Sequence, residues 1–547
     1  METEQRRPAG FWIRLCAGLL DLFIAAVPVV LAAEAAASFG LYIPIEAVAL
    51  ASYAAYTRVG IGWKGKTLGK AAMGLKVMRR DGQPAGWLRA SGRAVLVMLS
   101  QCLLGLPLIA IGARRSKQGW HDRLTGTMVV LQEELRARRR LVASIVLAVA
   151  AGWIAVHAAG PVRMYTIHRC WVADAEAATE KQAVVSKDLV EASSVTPEDR
   201  TRMQEWLVQH GRNPAEFVLD MAARHQVTLV GEIHGKKQYL EFFQRVIPDL
   251  YYKAHVTVIA LECCHPDQNG ALADLVNGAR FDEEKLRQIA RGAVWQAWGY
   301  RQHWEVLRTI WQVNQSRPES QKPLRVVGIM PRFDGPSFAL VKRGPWYEKL
   351  RLVRLIDDLP YVLLHDAHYA RCVEKEAFDK GERTVVWVGA AHTPPGPSFE
   401  AERAGRVVGR SYRMGAMLAG RYGDAVGQII LHSNFEYGDV ATLIEESAKL
   451  CSDAGVAFAV ADSPFACLRD SAAFGYVRQP RRCFRDSACN YILLAPLAAL
   501  ESADWMDGFI SRRMLGRNKP YYEMLVGSPI SGPEDADQRM DEGIQNL

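Results

Sequence analysis

The sequence predicts two different parts: an N-terminal α-helical transmembrane domain, followed by an α/β domain with a mainly parallel sheet and helices on both faces. Three observations support this prediction. The chain has 547 residues, too many for one domain. Its long apolar segments are confined to the first third. After residue 200, short β-branched apolar runs alternate with helical patterns, as they do in parallel sheets.

Three segments of the first third have the length and composition of membrane-spanning helices. They are Phe11–Ala33, Leu41–Thr57 and Leu141–Ala159. A fourth apolar segment, Ala94–Ala113, is interrupted by Gly105 and Pro107. The first third is therefore predicted to be a multi-pass membrane domain.

Basic residues flank the fourth segment on both sides, within 58–93 and 114–140. If the segment crossed the bilayer, one flank would lie outside, against the positive-inside rule. A re-entrant or interfacial segment keeps both flanks in the cytoplasm, so we expect Leu141–Ala159 to export everything after it. The net charge of +8 is concentrated in these flanks. We interpret it as membrane-flanking charge and expect no nucleic-acid partner.

Arg14 and Asp21 are seven positions apart in the first span and therefore share one helix face. Ionisable residues inside a span are costly unless they face protein or water, which favours a functional role. In the alternative interpretation, Arg14 extends to the cytoplasmic interface along its aliphatic stem.

These two residues belong to a wider pattern that resembles the RDD family of bacterial membrane modules. The pattern continues with T-L-G-K at Thr67–Lys70, Arg80-Asp81-Gly82, and W-H-D-R-L-T-G-T at Trp120–Thr127, where Asp122 would be the second aspartate. The resemblance covers roughly Pro8–Leu131. It implies a small helical membrane domain, in some members linked to transport, in a bacterial inner membrane.

The rest of the chain is divided by composition. We predict an RDD-like domain at 1–135, a transmembrane helix at 136–160, a polar stalk at 161–200, the α/β domain at 201–532 and an acidic disordered tail at 533–547. The predicted strands are Val227–His234, Val256–Glu262, Arg325–Met330, Thr384–His392, Val426–His432 and Tyr491–Pro496. The predicted helices are Leu240–Tyr251, Asp282–Val313, Trp346–Ile356 and Asp366–Phe378.

Two of the strands end in the same motif, a glycine followed three residues later by a histidine. The first delivers Glu232 and His234, the second delivers His392, and a third strand closes on Glu262. Ligands of open α/β sheets bind outside the carboxyl ends of the strands, so we expect these side chains to share one crevice. Two imidazoles and two carboxylates suit a divalent metal or acid–base catalysis.

Each candidate also has a structural interpretation. A histidine after a strand often only bonds to backbone carbonyls, and Glu232 could cap the next helix. His365 and His368, three positions apart, could ligate a metal, but a solvated helix face is the simpler interpretation. Trp295, Trp298 and Tyr300 are expected to serve the core.

Ten cysteines are present, and eight of them follow the last predicted span. An even count suits an oxidising compartment, although the connectivity cannot be deduced from sequence. Cys483 and Cys489 are the nearest plausible pair, so we predict a disulfide between them.

The α/β part resembles the ChaN-like haem-binding uptake proteins of the Tiki superfamily, which also holds TraB-type proteins and erythromycin esterases. The motifs that carry this resemblance are G-E-I-H at Gly231–His234, A-L-E-C-C-H-P-D-Q around Glu262, V-V-G-I-M-P-R ending in Arg332, and G-A-A-H at Gly389–His392. The similarity runs from about Val227 to Tyr422. One departure is Asp366–Tyr369, where typical members carry arginine-aspartate and a methionine-alanine pair.

The resemblance implies a membrane-anchored extracytoplasmic domain that binds haem, iron or another metal ligand. Glu232, His234, Glu262 and His392 would form the site, with the last three as metal ligands and Arg332 as an anion-binding partner. The alternative is a hydrolase, a peptidase or an esterase, that uses the same cluster. The expected cofactor is haem or a divalent metal ion. The expected partners are the lipid bilayer, a small-molecule or haem ligand and a second copy of the chain.

Overall fold

A computed structural model describes residues 7–102, 111, 116–132, 136–182, 190–293, 298–355, 358, 363–403, 406–433, 438–451, 455–469, 483–486 and 488–545. The chain divides into two compact units. Unit 1 comprises Met1–Gly160, Ser337–Val353 and Ser511–Gly532. Unit 2 comprises Pro161–Pro336, Arg354–Ile510 and Pro533–Leu547.

Unit 1 is built mainly from helices. Its N-terminal helices are Phe11–Ser38, Ile45–Lys64, Leu68–Ala72, Gly86–Cys102 and Trp120–Leu124. Among the described residues, the Phe11–Ser38 helix is the one long and apolar enough to cross a membrane by length and composition. On that helix Asp21 is fully buried while Phe23 is 68% exposed. Polar groups inside and apolar groups outside are the arrangement expected of a helix in lipid.

A two-stranded antiparallel sheet completes the N-terminal part of unit 1. Strand β1, Leu75–Arg79, pairs with β2, Thr127–Leu131. These strands were not predicted, because Leu75–Arg79 lies within a stretch interpreted only as a basic flank. Leu75, Val77 and Val129 are buried against Cys16, Ala17 and Ile61 of the first two helices.

Two segments from far downstream also belong to unit 1. They contain the helices Gly335–Arg343, Leu352–Leu355 and Arg512–Val526, and the 3-10 helix Trp346–Arg351. Arg351 is 2% exposed and bonds to Glu348, to the Ser337 hydroxyl and to Asn518 Oδ1. Both segments lie within the α/β domain predicted at 201–532, so the structure divides this part of the chain differently.

The predicted stalk is also organised differently. One helix, Arg136–Gln182, continues well past the predicted span into unit 2. Trp171 and Ala175 are each 1% exposed. The guanidinium of Arg421 lies 3.6 Å from the Trp171 ring centroid and bonds to Asp174 at 2.6 Å. Residues 161–182 therefore pack as part of unit 2, because Trp171 and Ala175 on one face of this polar segment provide buried contacts.

A seven-stranded sheet forms the centre of unit 2. Its spatial order is β11-β13-β10-β4-β7-β5-β6, and every neighbouring pair is parallel except β11 with β13. The strands are β4 Val227–Glu232, β5 Val258–Leu261, β6 Arg325–Gly328, β7 Thr384–Gly389, β10 Val426–Leu431, β11 Val456–Ala459 and β13 Asn490–Leu493. The prediction of an α/β domain with a mainly parallel sheet is confirmed.

Two smaller two-stranded sheets accompany it. They are β3 Val190–Glu191 with β12 Leu468–Arg469, and β8 Pro397–Arg403 with β9 Arg406–Tyr412. The helices of unit 2 besides Arg136–Gln182 are Pro197–His210, Pro214–Arg224, Lys237–Tyr252, Asn269–Asn277, Glu283–Arg291, Arg301–Ser316, His365–Val373, Met414–Tyr422, Gly438–Ser447 and Pro533–Gln545. The single helix predicted at Asp282–Val313 is thus divided into two.

Two further predictions are corrected. The acidic tail, predicted to be disordered, forms the Pro533–Gln545 helix. There Ala536 is fully buried, and the Asp537 carboxylate accepts hydrogen bonds from Trp505 Nε1 at 2.8 Å and Ile510 N at 3.0 Å. The predicted disulfide is not formed. Both cysteines are present as thiols. Cys483 donates a hydrogen bond to Asp486, and Cys489 donates one to Gln428.

Candidate functional site

Three adjacent strands bring the predicted site residues together. β4, β7 and β5 are consecutive in the sheet and parallel, so their carboxyl ends lie at one edge. Glu232 ends β4, Glu262 directly follows β5, and His392 ends the 3-10 turn after β7. His234 lies two residues beyond β4. The predicted convergence of Glu232, His234, Glu262 and His392 is therefore present in the geometry, while the roles assigned to them stay predictions.

The glycines of the two motifs allow this close approach. A Cβ on Gly389 would lie 2.9 Å from His234 Nε2, and a Cβ on Gly231 would lie 2.8 Å from the Ala390 Cα. Each motif thus packs its glycine against the other motif. Because both contacts are shorter than real Cβ atoms tolerate, the site requires glycine at both positions.

Each imidazole is oriented by its own carboxylate. His234 Nδ1 is 2.9 Å from Glu232 Oε1, and His392 Nδ1 is 2.8 Å from Asp366 Oδ1. A carboxylate at Nδ1 fixes the ring orientation and leaves Nε2 as the reactive nitrogen. Asp366 is itself held by Met414 N at 2.8 Å and Arg413 Nη1 at 3.1 Å.

Both reactive nitrogens face Glu262. Its Oε2 is 3.7 Å from His234 Nε2, and its Oε1 is 3.5 Å from His392 Nε2. Gly389 N donates to Oε2 at 2.6 Å, and the Tyr369 hydroxyl donates to Oε1 at 3.2 Å. These two hydrogen bonds anchor the carboxylate, while the longer distances leave both Nε2 atoms available to a third group.

Burial and neighbouring charges shift the pKa values of these groups in different directions. Burial opposes the imidazolium of His234, but Glu262 and Glu232 outweigh it and raise its pKa to about 9. Burial raises the pKa of Glu232. Burial also opposes ionisation of Glu262, yet His392 and His234 hold its pKa below the usual range. Asp366 and Glu262 overcome burial at His392 and raise its pKa.

The cluster of possible metal ligands differs from the predicted one. In the described part of the chain, one group of at least three side chains has its ligand atoms all within 4.8 Å of one another, and it is His365, Asp366 and His392. Only His392 belongs to the predicted set of His234, Glu262 and His392. His365 was expected on a solvated face, but its ring lies 5.0 Å from the His392 ring at 82°.

The remaining predicted residues lie around this crevice or away from it. Trp298 is 9% exposed and its ring lies 5.1 Å from that of His234, so it is both buried and part of the crevice wall. Arg332 has a side chain 78% exposed that pairs with Asp267 at 3.7 Å and not with Glu262. Trp295 lies outside the described residues. Asp366, Tyr369 and His365 were not predicted as site residues. The departure from the family pattern at Asp366–Tyr369 was the available signal for the first two.

In unit 1, the two RDD aspartates are fully buried and bonded to separate basic residues. Asp122 pairs with Arg14 at 2.6 Å and with Arg93, and accepts Gly119 N at 2.9 Å. Asp21 pairs with Lys70 at 2.9 Å. It also accepts Tyr56 OH at 2.9 Å, Thr67 Oγ1 at 2.5 Å and Gly69 N at 2.7 Å. Arg14 and Asp21 therefore share a helix face but belong to two different networks.

The fold and the site together define an α/β domain with a histidine–carboxylate crevice in a chain that also carries a helical unit with a span-length apolar helix. Residues 8–126 match the RDD family. The uncharacterized protein YckC of Bacillus subtilis (strain 168) is 31% identical over 148 residues, which are 24% of this chain and 92% of the relative. By this N-terminal part the chain belongs to the RDD family, which is membrane-associated.

Several solved structures are similar to part of the chain. A mutant of the erythromycin esterase EreC in its open conformation is 11% identical and has a TM-score of 0.36, covering 53% of this chain and 95% of that chain. Haem-bound ChaN of Campylobacter jejuni is 10% identical with a TM-score of 0.27, covering 40% and 86%. A succinoglycan biosynthesis protein is 11% identical with a TM-score of 0.38, covering 55% and 98%. Similarities at this level do not decide between ligand binding and hydrolysis.

Proposed function

We propose that the crevice hydrolyses an ester or amide bond, with His234 and Glu262 exchanging protons with the substrate and water. One observation carries the proposal. Two carboxylate–imidazole pairs converge on one buried glutamate, and both Nε2 atoms face it at 3.5 and 3.7 Å. An imidazole fixed at Nδ1 by a carboxylate is the proton-transfer unit of many hydrolases.

The pKa shifts give each group a role. A pKa of about 9 keeps His234 protonated near neutral pH, so its Nε2 can donate a proton to the leaving group. The lowered pKa of Glu262 keeps its carboxylate ionised, so it can orient a water molecule and accept its proton. Asp366 and Glu262 raise the pKa of His392, which favours its protonated form, so its Nε2 can donate a hydrogen bond to the developing oxyanion. Neighbouring groups with pKa values pushed apart are typical of acid–base pairs.

Haem binding, the first expectation from the ChaN-like resemblance, is supported less well. An iron ligand needs an imidazole or phenol directed into an open cavity. Here both Nε2 atoms lie 3.7 and 3.5 Å from the Glu262 carboxylate, a spacing that suits a small group such as water, and the buried Tyr369 hydroxyl bonds to Glu262 Oε1 and Met330 Sδ. The donor set around Asp366 is instead that of a small divalent ion.

The test uses the full chain in detergent with chromogenic esters and peptide anilides. We expect turnover that falls at least about 100-fold in His234→Gln and His392→Gln, the usual scale of acid–base catalysis, with unchanged melting. His368→Gln is the matched control, since His368 contacts Cys372 at 3.4 Å rather than the Glu262 carboxylate. A haem titration runs in parallel. Stoichiometric haem binding that His392→Gln abolishes, without turnover of any substrate, would replace hydrolysis by ligand binding.

We further propose that the chain is a multi-pass membrane protein whose unit 2 lies outside the cytoplasm. Arg93 precedes the interrupted apolar segment and Gly119 follows it, and both bond to Asp122. Because the two ends of the segment return to one carboxylate, this supports a segment that does not cross. Most of 94–113 beyond Cys102, including Gly105 and Pro107, lies outside the described residues.

An exposed native thiol tests this topology. Cys170 is exposed on the Arg136–Gln182 helix, after the predicted span. A membrane-impermeant maleimide added to intact cells should label the wild type and not Cys170→Ser. A reporter fused after Gln118 should remain in the cytoplasm. Labelling of Cys170 only after lysis, or an external reporter at Gln118, would overturn the topology.

A further inference from the structure

The clearest cluster of metal-binding side chains in unit 2 lies beside the proton-transfer groups. His365 and Asp366 begin the His365–Val373 helix, and His392 ends the turn after β7. His365 Nε2 is 3.3 Å from Asp366 Oδ2, and His392 Nδ1 is 2.8 Å from Asp366 Oδ1. One ligand atom from each residue lies within 4.8 Å of the other two.

We propose that His365, Asp366 and His392 bind a divalent transition-metal ion of the zinc type. Such an ion takes histidine nitrogens and carboxylate oxygens at about 2.0–2.2 Å, so its ligand atoms are about 3–3.5 Å apart. The two carboxylate oxygens of Asp366 each lie near this distance from one imidazole nitrogen: Oδ1 is 2.8 Å from His392 Nδ1, and Oδ2 is 3.3 Å from His365 Nε2. The ion would replace the proton that Oδ1 and Nδ1 share. The two imidazole planes are nearly perpendicular, at 82°, and both rings adjoin the same carboxylate.

The surroundings of Asp366 support a ligand role. Asp366 is 6% exposed, and its carboxylate is held by Met414 N and by Arg413. Metal-ligating carboxylates are usually oriented by such hydrogen bonds from outside the ligand set. Three protein ligands leave room for a water molecule or a substrate atom as the fourth, which is the composition of catalytic zinc sites.

His365 and Asp366 are ligands that the predicted set of His234, Glu262 and His392 did not include. The inference goes beyond the proposed hydrolysis, which uses His392 and Asp366 but neither His365 nor an ion.

The test is a titration of the chelator-stripped full chain in detergent with Co²⁺, whose visible absorption reports coordination by protein ligands. We expect one Co²⁺ per chain, displaced by Zn²⁺. His365→Gln and Asp366→Asn should each weaken Co²⁺ binding at least about tenfold, a usual consequence of altering a metal site. His368→Gln, one helical turn away, should bind like the wild type.

The variant His234→Gln distinguishes the proposed site from an ion bound at His234, Glu262 and His392. It should bind Co²⁺ normally, because His234 is outside the cluster, even where it abolishes hydrolysis. Loss of Co²⁺ in His234→Gln with retention in His365→Gln would move the ion to His234, Glu262 and His392. No Co²⁺ binding by the wild type, or equal loss in His368→Gln, would show that the cluster is an ion-pair network only. Turnover by the chelator-stripped chain decides the proposed hydrolysis independently of Co²⁺ binding.

Discussion

Units 1 and 2 treat buried charge in opposite ways. In unit 1, Asp122 is paired with two arginines on separate helices, and Asp21 accepts four donors. In unit 2, Glu262 is also buried and has two hydrogen bonds and two imidazole nitrogens at 3.5 and 3.7 Å. In unit 1 the carboxylates are fully bonded to fixed partners. In unit 2 the Nε2 atoms of His234 and His392 stay beyond hydrogen-bonding distance of Glu262.

This difference separates polar residues with a structural role from those with a chemical role, although sequence motifs do not distinguish the two. A buried carboxylate with a full set of partners gains little from a ligand and loses much when a partner is removed. A carboxylate between two oriented imidazoles can exchange a proton with a bound molecule at little structural cost. We therefore interpret the RDD aspartates as structural centres of unit 1 and the Glu262 crevice as the reactive part of unit 2.

Asp122→Asn should produce the largest loss of stability. The asparagine keeps the shape but leaves Arg14 and Arg93, whose side chains are 9% and 4% exposed, without a counter-charge. Breaking a buried ion pair from one side typically costs about 3–5 kcal/mol. Thermal unfolding of the purified chain in detergent measures it. Asp81→Asn, at a half-exposed pair with Arg79, is the control and should cost under about 1 kcal/mol. Equal melting of both variants would remove Asp122 from the structural class.

His303 should give a smaller effect that depends on pH. It is 4% exposed between Trp298 and Trp304, and burial lowers its pKa to about 3. A neutral buried histidine favours folding fully above its unfolded pKa near 6.5, and this contribution is lost as the pH falls towards 3. From pH 7 to pH 5 the wild type should therefore lose about 2 kcal/mol relative to His303→Gln. Parallel pH curves for the two proteins would contradict a neutral His303.

Asp21→Asn should cost less than Asp122→Asn. Asp21 faces one lysine, Lys70, and lysine can lose its proton when its counter-charge is removed, whereas arginine cannot. The asparagine Oδ1 can still accept from Gly69 N and Tyr56 OH. We expect a loss of about 1–3 kcal/mol in the same unfolding experiment. A loss as large as that of Asp122→Asn would show that the identity of the basic partner does not matter.

Much of the crevice could be predicted because it follows from local patterns. Glu232, His234, Glu262 and His392 each follow an apolar strand, and parallel strands place their carboxyl ends at one edge. His365 could not be recognised, since a histidine three positions before another on a polar helix looks solvated. His392 and Glu262, which lie near it in space, follow β7 and β5 and are remote from it in the sequence.

The boundaries between the units depended on contacts that are remote in the sequence. Arg351 bonds to Asn518, 167 residues later, and Arg513 and Arg517 pair with Glu34 near the end of the first helix. No periodicity within 337–353 or 511–532 indicates these partners. The tail was similarly misjudged from its charge, although one of its carboxylates, Asp537, bonds to Trp505 and Ile510 N.

The smallest stability effect and the sharpest comparison come from two tyrosines. Tyr369 and Tyr422 each donate a hydroxyl to a glutamate, at 3.2 Å to Glu262 and at 2.8 Å to Glu374. Removing either hydroxyl should cost about 1 kcal/mol, the net contribution of one hydrogen bond. In Tyr422→Phe, Glu374 keeps its arginine partners, Arg371 and Arg421, so only stability should change.

Tyr369→Phe should differ from Tyr422→Phe in catalysis. Without the hydroxyl, Glu262 keeps Gly389 N but loses the donor that holds Oε1 beside His392. The carboxylate can then turn away from the imidazole, so turnover should fall about tenfold, equivalent to about 1.4 kcal/mol in the transition state. Parallel unfolding and turnover assays of both variants separate the effects. If the two lose equal stability and neither loses activity, the carboxylate in the crevice is only as structural as Glu374, and the contrast between the units fails.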